Sequence, residues 1–155
     1  DIKLNVKKGI KHYFFNQSFI TSSHLGWGTT FNSKNKKTLN GAFTAKKHTA
    51  KNFDLYDDNI KYLYKIIALC KKNNINIVYI TTPTDKSYYE NLNKIQIEKT
   101  IKTITDLVKN NSNCYYLNLL NSEKFTKEDF YDADHLNEIG AKKLSLLLNA
   151  EINSQ

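Results

Sequence analysis

The feature that most constrains this chain is an alternation of helix and strand patterns between residues 54 and 150. Apolar residues first recur at helical spacing up to Asn73, at Ile60, Leu63, Ile67 and Cys70. Residues 75–82 then read Ile-Asn-Ile-Val-Tyr-Ile-Thr-Thr, and a run this rich in β-branched residues predicts a strand that ends at Pro83. The first unit is therefore an amphipathic helix followed by a strand.

The same order then repeats and closes on a further helix. A short helix at 88–92 and a long one at 94–110 are predicted, and the long helix should bury Ile97, Ile101, Ile104 and Val108. A strand at 114–120 and an acidic, aromatic loop at 121–134 follow. The last helix is expected to bury Leu136, Ile139, Leu144, Leu147 and Leu148.

Short links between alternating helices and strands favour a parallel sheet with helices on its faces. Two strands do not make a stable sheet of this kind by themselves. We therefore expect further strands from residues 1–50, from a segment upstream of Asp1, or from another chain. The chain begins with Asp1 and not with Met, so we expect it to be a processed or excised piece of a longer protein.

Residues 1–53 are predicted to form a basic, irregular segment of the same domain, and residues 151–155 a tail. Residues 1–51 hold ten Lys and one acidic residue, whereas residues 52–155 hold thirteen Lys and fourteen acidic residues, so that +9 and −1 give the net charge of +8. All of the basic residues are Lys. A nucleic-acid reader usually carries Arg for bidentate contacts, so the composition argues against nucleic acid. An anionic glycan or a membrane surface near the first third stays open.

The start of the chain allows two interpretations. Ile10, Tyr13, Phe14 and Ile20 would line one face of a helix. The aromatic run 13–15 would equally suit a strand, or a patch that packs on another segment.

Several kinds of site find no support in the sequence. No apolar run approaches the ~20 residues of a membrane-spanning helix. The four His residues lie scattered without ligand spacing, so no metal and no cofactor are predicted. Cys70 and Cys114 each fall within an apolar pattern and are interpreted as core residues, with a disulfide between them as the open alternative.

The stretch Phe130–Ala141 carries the clearest chemistry. It places Asp132 three residues before His135, where a loop gives way to the last helix. An aspartate there can accept a hydrogen bond from one imidazole nitrogen and leave the other free to act as a base. Such a pair is two thirds of a Ser/His/Asp hydrolase site. The alternative for Asp132 and for Asp134 is to cap the helix.

Asp132-x-x-His135, followed by Leu136-Asn137-x-x-Gly140-Ala141, resembles the fifth sequence block of the SGNH/GDSL hydrolases. It looks most like bacterial members with a D-x-D-H-L-N-x-x-G-A ending, several of which act on cell-envelope polysaccharides. The order of elements over about 54–150 resembles the second half of that fold. The resemblance implies a three-layer α/β/α fold with a mainly parallel, flavodoxin-like sheet, incomplete here at its N-terminus. It also implies the cell envelope or periplasm in preference to the cytoplasm, with membrane association through a missing N-terminal segment.

The resemblance further implies roles for the two residues. Asp132 would orient His135, and His135 would act as general base toward a serine and as general acid toward the leaving alcohol. The activity implied is that of an ester hydrolase or O-acetyltransferase on an acylated or acetylated carbohydrate. The G-D-S turn of the family has no match here, and Ser22 and Ser23 stand in a different context. The nucleophile is therefore unknown and expected upstream of the chain, which alone should be inactive.

Trp27 is the remaining candidate residue, since it lies between Gly26 and Gly28 in the least regular region. Its ring would either plug the edge of the core or form a wall of a substrate cleft. Two other interpretations of the whole chain stay open. One is a non-catalytic α/β domain that binds a glycan or anionic partner, and the other is a family member that kept the fold and lost the serine.

Overall fold

A computed structural model describes residues 2–15, 28, 30–38 and 40–153 of this mixed α/β protein. Six α-helices and a two-stranded parallel sheet lie within these residues. In chain order they are α1 (Ile2–Phe15), α2 (Gly41–His48), α3 (Tyr56–Lys72), β1 (Ile77–Thr81), α4 (Lys86–Tyr89), α5 (Lys94–Lys109), β2 (Cys114–Asn118) and α6 (Glu138–Asn153). Single 3-10 turns lie at Ser33–Asn35 and Lys127–Asp129.

The two strands pair in parallel, as the alternation of patterns predicts. The register runs from Ile77 opposite Cys114 to Thr81 opposite Asn118. The core joins both strands to α3 and α5 through the buried side chains of Ile67, Leu107 and Cys114. Partly buried side chains pack around them, namely Leu63, Ile77, Tyr79, Ile104 and Val108. Each fully buried aliphatic side chain contributes about 1.5–3 kcal/mol, so this cluster holds the strands against the two long helices.

The structure differs from the sequence-based expectations in the first third of the chain, in the tail and in the last helix. Residues 1–53 contain α1 and α2 and are therefore not irregular throughout. The predicted tail is shorter, because α6 runs to Asn153. Ile139, expected to be buried, is 49% exposed. Gly140 is the buried residue at that turn of α6, and its neighbour Ile139 is turned about 100° away from the packed face.

Helix α2 forms on local capping and on one close contact. The side chain of Asn40 accepts a hydrogen bond from the Phe43 N–H at 3.1 Å, which satisfies a free donor of the first turn. A Cβ on Gly41 would lie 2.1 Å from the carbonyl carbon of Ser87. Only glycine therefore allows α2 to approach the start of α4 so closely.

The two cysteines, Cys70 and Cys114, are free thiols. Cys114 is buried, as the core interpretation predicts, and Cys70 is partly buried. Burial, with a smaller contribution from Cys70, raises the pKa of the Cys114 thiol.

Trp27, Ser22 and Ser23 lie outside the described residues. Among the helices that the structure describes, none is both long enough and apolar enough to cross a membrane.

Candidate active site

Asp132 and His135 lie in a short loop between β2 and α6 that is closed at its base. Phe130 and Leu136 pair as an antiparallel bridge, and the Tyr131 N–H donates to the His135 carbonyl at 2.8 Å. Phe130 is only 1% exposed and anchors the loop in the protein interior. The residues between 130 and 136, called the dyad loop below, are thus held from both ends.

Hydrogen bonds tie the dyad loop to the carboxyl side of the sheet. The Asp85 N–H, in the loop after β1, donates to the Ala133 carbonyl at 3.1 Å. The Thr84 N–H of the same loop donates at 3.3 Å to the carbonyl of Leu120, which follows β2. Sites of open α/β sheets form at the carboxyl ends of their strands, and this loop lies on that side.

Asp132 and His135 are joined by a hydrogen bond of 2.8 Å between Oδ1 and Nδ1. The same Oδ1 accepts the backbone N–H of His135 at 2.9 Å and that of Asp134 at 3.3 Å. With Nδ1 facing the carboxylate, Nε2 is the nitrogen left for another proton partner. The His135 side chain is about half exposed, so the pair can be reached from solvent. The contact expected from the sequence is confirmed, whereas its catalytic use stays a prediction.

The two aspartates of the loop differ in their protonation behaviour. Partial burial would by itself raise the pKa of Asp132. Hydrogen bonds from the His135 ring and from the N–H groups of residues 134 and 135 outweigh that effect, so the pKa of Asp132 lies below its usual value. Burial raises the pKa of Asp134; the neighbouring His135 and His48 oppose this rise, and Asp132 adds to it. Asp132 is thus the member that stays ionised and can stabilise an imidazolium.

An aromatic residue beside the dyad was not singled out by the sequence analysis. The Phe31 ring lies 5.1 Å from the His135 ring, centroid to centroid, and stacks on Tyr131 at 4.5 Å. The Lys37 N–H donates to the Tyr131 carbonyl at 2.8 Å, and its ammonium lies 5.4 Å from the centre of the Tyr131 ring. These contacts hold the 30–38 segment against the dyad loop. The only signal in the sequence was an aromatic residue within a polar stretch.

Glu138 attaches the same segment to the start of α6. Its carboxylate accepts the Ser33 hydroxyl at 2.6 Å and the Ser33 N–H at 2.7 Å. The hydroxyl of Ser33 is therefore committed to Glu138. Within residues 30–38 and 40–153, the ring contacts of His135 are with Asp132, Asp134 and Phe31 and with no serine. The nucleophile is not identified in this part of the chain.

A second histidine reaches the site from α2. His48 Nδ1 lies 3.1 Å from the Tyr88 hydroxyl and 3.6 Å from Asp134 Oδ2. The other oxygen of Asp134 lies 3.3 Å from His135 Nδ1, so this carboxylate stands between two imidazoles. No sequence pattern pointed to His48, because only the packing of α2 on α4 brings it to the dyad loop.

Three side chains of the dyad loop could serve as metal ligands. Asp132, Asp134 and His135 each offer one atom, and these atoms lie within 4.8 Å of one another. Two carboxylate oxygens and an imidazole nitrogen would suit a divalent ion such as Zn²⁺ or Mn²⁺. The prediction of no metal rested on the spacing of the His residues, and it stays a prediction.

Asn137, and neither Asp132 nor Asp134, caps α6. Its Oδ1 accepts the N–H groups of Ile139 at 2.9 Å and Gly140 at 3.1 Å. Its Nδ2 donates to the Glu128 carbonyl at 2.7 Å. The capping interpretation of the aspartates is therefore wrong for this helix, and Asn137 and Gly140 have structural roles within the same motif.

A cavity of about 300 Å³ opens between the loops that follow β1 and β2. Its lining combines polar side chains with the two aromatic rings of Phe125 and Phe130; the polar residues include Thr84, Lys86, Asn121, Ser122, Thr126 and Lys127. Phe130 belongs both to this lining and to the base of the dyad loop. The cavity and the dyad loop are therefore neighbours.

Comparison with known proteins gives one family. Residues 5–139 match the model of a family described as "protein of unknown function (DUF1574)". The matched residues include both strands and the dyad loop. No curated protein and no solved structure matches the chain significantly.

Proposed function

The chain belongs to the DUF1574 family, and we propose that it carries the histidine and aspartate of an SGNH-type ester hydrolase or O-acyltransferase. The observation that carries this proposal is the 2.8 Å hydrogen bond between Asp132 Oδ1 and His135 Nδ1 on the carboxyl side of a parallel sheet. The resemblance of residues 132–141 to the fifth block of the SGNH hydrolases supports it. The serine and the oxyanion donors belong, in this proposal, to a segment upstream of Asp1.

The proposed reaction proceeds through an acyl-serine. The serine oxygen attacks the ester carbonyl carbon while His135 Nε2 takes the serine proton. As the tetrahedral intermediate collapses, the bond to the alcohol breaks and His135 returns the proton to the leaving oxygen. Water or a sugar hydroxyl then attacks the acyl-serine, with the proton again passing through Nε2 to the departing serine. The ionised Asp132 keeps the ring oriented and stabilises its charged form.

The surroundings of the dyad loop favour an acylated or acetylated carbohydrate as substrate. The neighbouring cavity offers Lys86, Lys127, Asn121 and hydroxyl groups, which suit a polar, hydroxyl-rich molecule. Phe31 beside His135 offers an aromatic surface for the apolar face of a sugar ring. Both features border the same loop.

The proposal includes a finer fold than the mixed α/β arrangement described above. In it, β1 and β2 belong to a larger, mainly parallel sheet between two layers of helices. The packing of α3 and α5 together on one face of the strands supports one of these layers. On the other face, Leu148 and Ile152 of α6 line a small pocket with Val78 and Tyr115. The parallel pairing of β1 with β2 also supports the arrangement. Two such strands are joined by a connection that crosses one face of the sheet, and this crossover is right-handed in nearly all proteins.

The alternative is a non-catalytic domain that holds a glycan or another anionic partner through its basic first third. Its support is the excess of Lys in residues 1–51. Part of that charge is already engaged, because Lys36 donates to the Lys127 carbonyl and lies 3.9 Å from Glu128, and Lys37 lies over Tyr131. We therefore favour the enzyme.

The test is hydrolysis of p-nitrophenyl acetate by the full-length protein, by His135→Ala and by Asp132→Asn. Loss of a general base typically costs ~100–10,000-fold, and we expect kcat to fall by that factor in both variants. His12→Ala on α1 is the matched control and should retain the wild-type rate. Equal rates for His135→Ala and the wild type would refute the role of His135.

A second measurement addresses the binding alternative. Lys34, Lys36 and Lys37 are changed together to Gln, and retention on a heparin column is compared with that of the wild type. Earlier elution of this variant, combined with an unaffected rate for His135→Ala, would favour the binding domain over the enzyme. Unchanged retention would count against the binding domain.

A further inference from the structure

Helix α1 exposes an unusual amount of apolar surface. The side chains of Val6, Ile10, Tyr13, Phe14 and Phe15 are between 49% and 83% exposed. Several large apolar side chains exposed on one helix usually mark a surface that contacts something else. The site described above makes no use of this helix.

The charges on α1 are all of one sign. Residues 2–15 contain four Lys, at positions 3, 7, 8 and 11, and no acidic residue. Val6, Ile10 and Tyr13 follow a spacing of four and three residues and so share one face, with Phe14 beside them. Lys7 and Lys11, which directly follow Val6 and Ile10, are exposed and lie about 100° further round the helix axis. The helix is therefore basic, and four of its five exposed apolar side chains share one side, with Phe15 beyond the lysines.

We propose that α1 lies along the surface of a membrane that contains anionic lipids. The apolar face would enter the boundary between headgroups and acyl chains, and the lysines would contact the lipid phosphates. Basic amphipathic helices with aromatic residues bind in this way, with a strength that grows with apolar area and with attraction to anionic lipids. Tyr13 and its Phe neighbours are residue types suited to that boundary.

The distribution of the aromatic side chains favours a lipid surface over a groove in a protein. A groove accepts one narrow stripe of a helix, with anchors three or four residues apart. Tyr13, Phe14 and Phe15 are consecutive and point in directions about 100° apart, so they spread over more than half of the helix circumference. A fluid interface can accommodate all three rings, whereas a preformed groove would leave at least one of them in water.

The positive charge is concentrated in the first third of the chain, because residues 1–51 carry a net charge of +9 and residues 52–155 a net charge of −1. Attraction to an anionic surface would therefore act on the first third of the chain, and within it the exposed apolar side chains of α1 single out that helix as the contact. This inference does not rest on the proposed reaction.

The experiment is co-sedimentation of the full chain with large unilamellar vesicles of phosphatidylcholine, with and without 30% phosphatidylglycerol (~0.1 M salt). We expect binding to the anionic vesicles and at least about tenfold weaker partitioning to the neutral ones. The variant Lys7→Gln/Lys11→Gln should lose about tenfold or more in partitioning, because each lysine near an anionic surface contributes roughly a factor of five. The matched control Lys46→Gln/Lys47→Gln, on exposed positions of α2, should stay within twofold of the wild type.

A second variant tests the apolar face. Tyr13→Ser/Phe14→Ser should also weaken binding at least tenfold, with the helix content checked by circular dichroism in the presence of vesicles. No binding of the wild type, or equal loss in the α1 and α2 lysine variants, would overturn the proposal. A concentration-dependent dimer that disappears in Tyr13→Ser/Phe14→Ser, without vesicle binding, would overturn it in favour of a second copy of the chain.

Discussion

Gly140, on the first turn of α6, should not tolerate even a methyl group. Replacing a helical glycine by alanine ordinarily stabilises a protein by up to ~1 kcal/mol. Here the new Cβ would lie 2.2 Å from the Asp129 carbonyl oxygen and 2.8 Å from Leu136 Cδ2. The nearer of these atoms is backbone and cannot rotate away.

The expected cost follows from that overlap. Carbon–oxygen contacts normally begin near ~3.3 Å, so the structure would have to open by roughly 1 Å between α6 and the turn at 127–129. That movement also lengthens the bond from Asn137 Nδ2 to the Glu128 carbonyl, now 2.7 Å. Overpacking of ~1–3 kcal/mol and a weakened hydrogen bond of ~1 kcal/mol together outweigh the gain in helix propensity. We expect Gly140→Ala to lower the free energy of unfolding by about 2 kcal/mol.

Urea unfolding followed by circular dichroism measures this difference, and the melting temperature should fall by roughly 4–8 °C. Gly9→Ala in α1 is the matched control, because a Cβ there would meet no atom within 4 Å. It should leave the midpoint unchanged or slightly raised. A Gly140→Ala protein as stable as the wild type would refute the packing argument.

Three further changes test other parts of the structure. Asn137→Ala should cost about 2–3 kcal/mol in urea unfolding, since it removes the cap of α6 and the bond to Glu128, and Asn137→Asp, which keeps the cap, should cost less. Burial alone would raise the pKa of Asp129. Hydrogen bonds from Lys143 (2.6 Å) and from Thr126 outweigh burial and hold this pKa below the usual 3.8. The stability that the carboxylate contributes is therefore present above pH 3.8 and is lost as the pH falls through the lowered pKa. Lys143→Met should therefore cost about 1–2 kcal/mol at pH 7 and shift acid unfolding to higher pH; an unchanged acid midpoint would contradict this. EDTA should leave ester hydrolysis by the full-length protein unaffected, because the proposed reaction uses no metal, and activity that is lost with EDTA and restored by Zn²⁺ would instead make Asp132, Asp134 and His135 metal ligands.

The sequence was most informative where structure depends on periodicity. The stripes of α3 and α5 appear in the sequence because both helices bury one face against the same two strands. The β-branched run around Ile77–Thr81 likewise belongs to a strand packed on helices. Propensity and burial agree in these elements, so the pattern predicts them.

The sequence was least informative where structure depends on contacts between distant residues. Helix α2 is too short and too polar for a clear stripe, and it is held by its cap at Asn40 and by the approach of Gly41 to Ser87. The same approach brings His48 to the dyad loop. Phe31 reaches His135 through a segment without regular pattern. The bond between Asp132 and His135 was predictable because it spans only three residues.

The closed base of the dyad loop has a consequence for how such a protein can diversify. Phe130 and Leu136 are paired, so a residue inserted or deleted between them would break the pairing or turn His135 away from Asp132. Residues 121–124, of which the first three line the neighbouring cavity, are largely exposed and can change in length without touching that pairing. Evolution can therefore reshape that part of the cavity while the geometry of the dyad stays constant, and differences in loop length within the family should concentrate at 121–124.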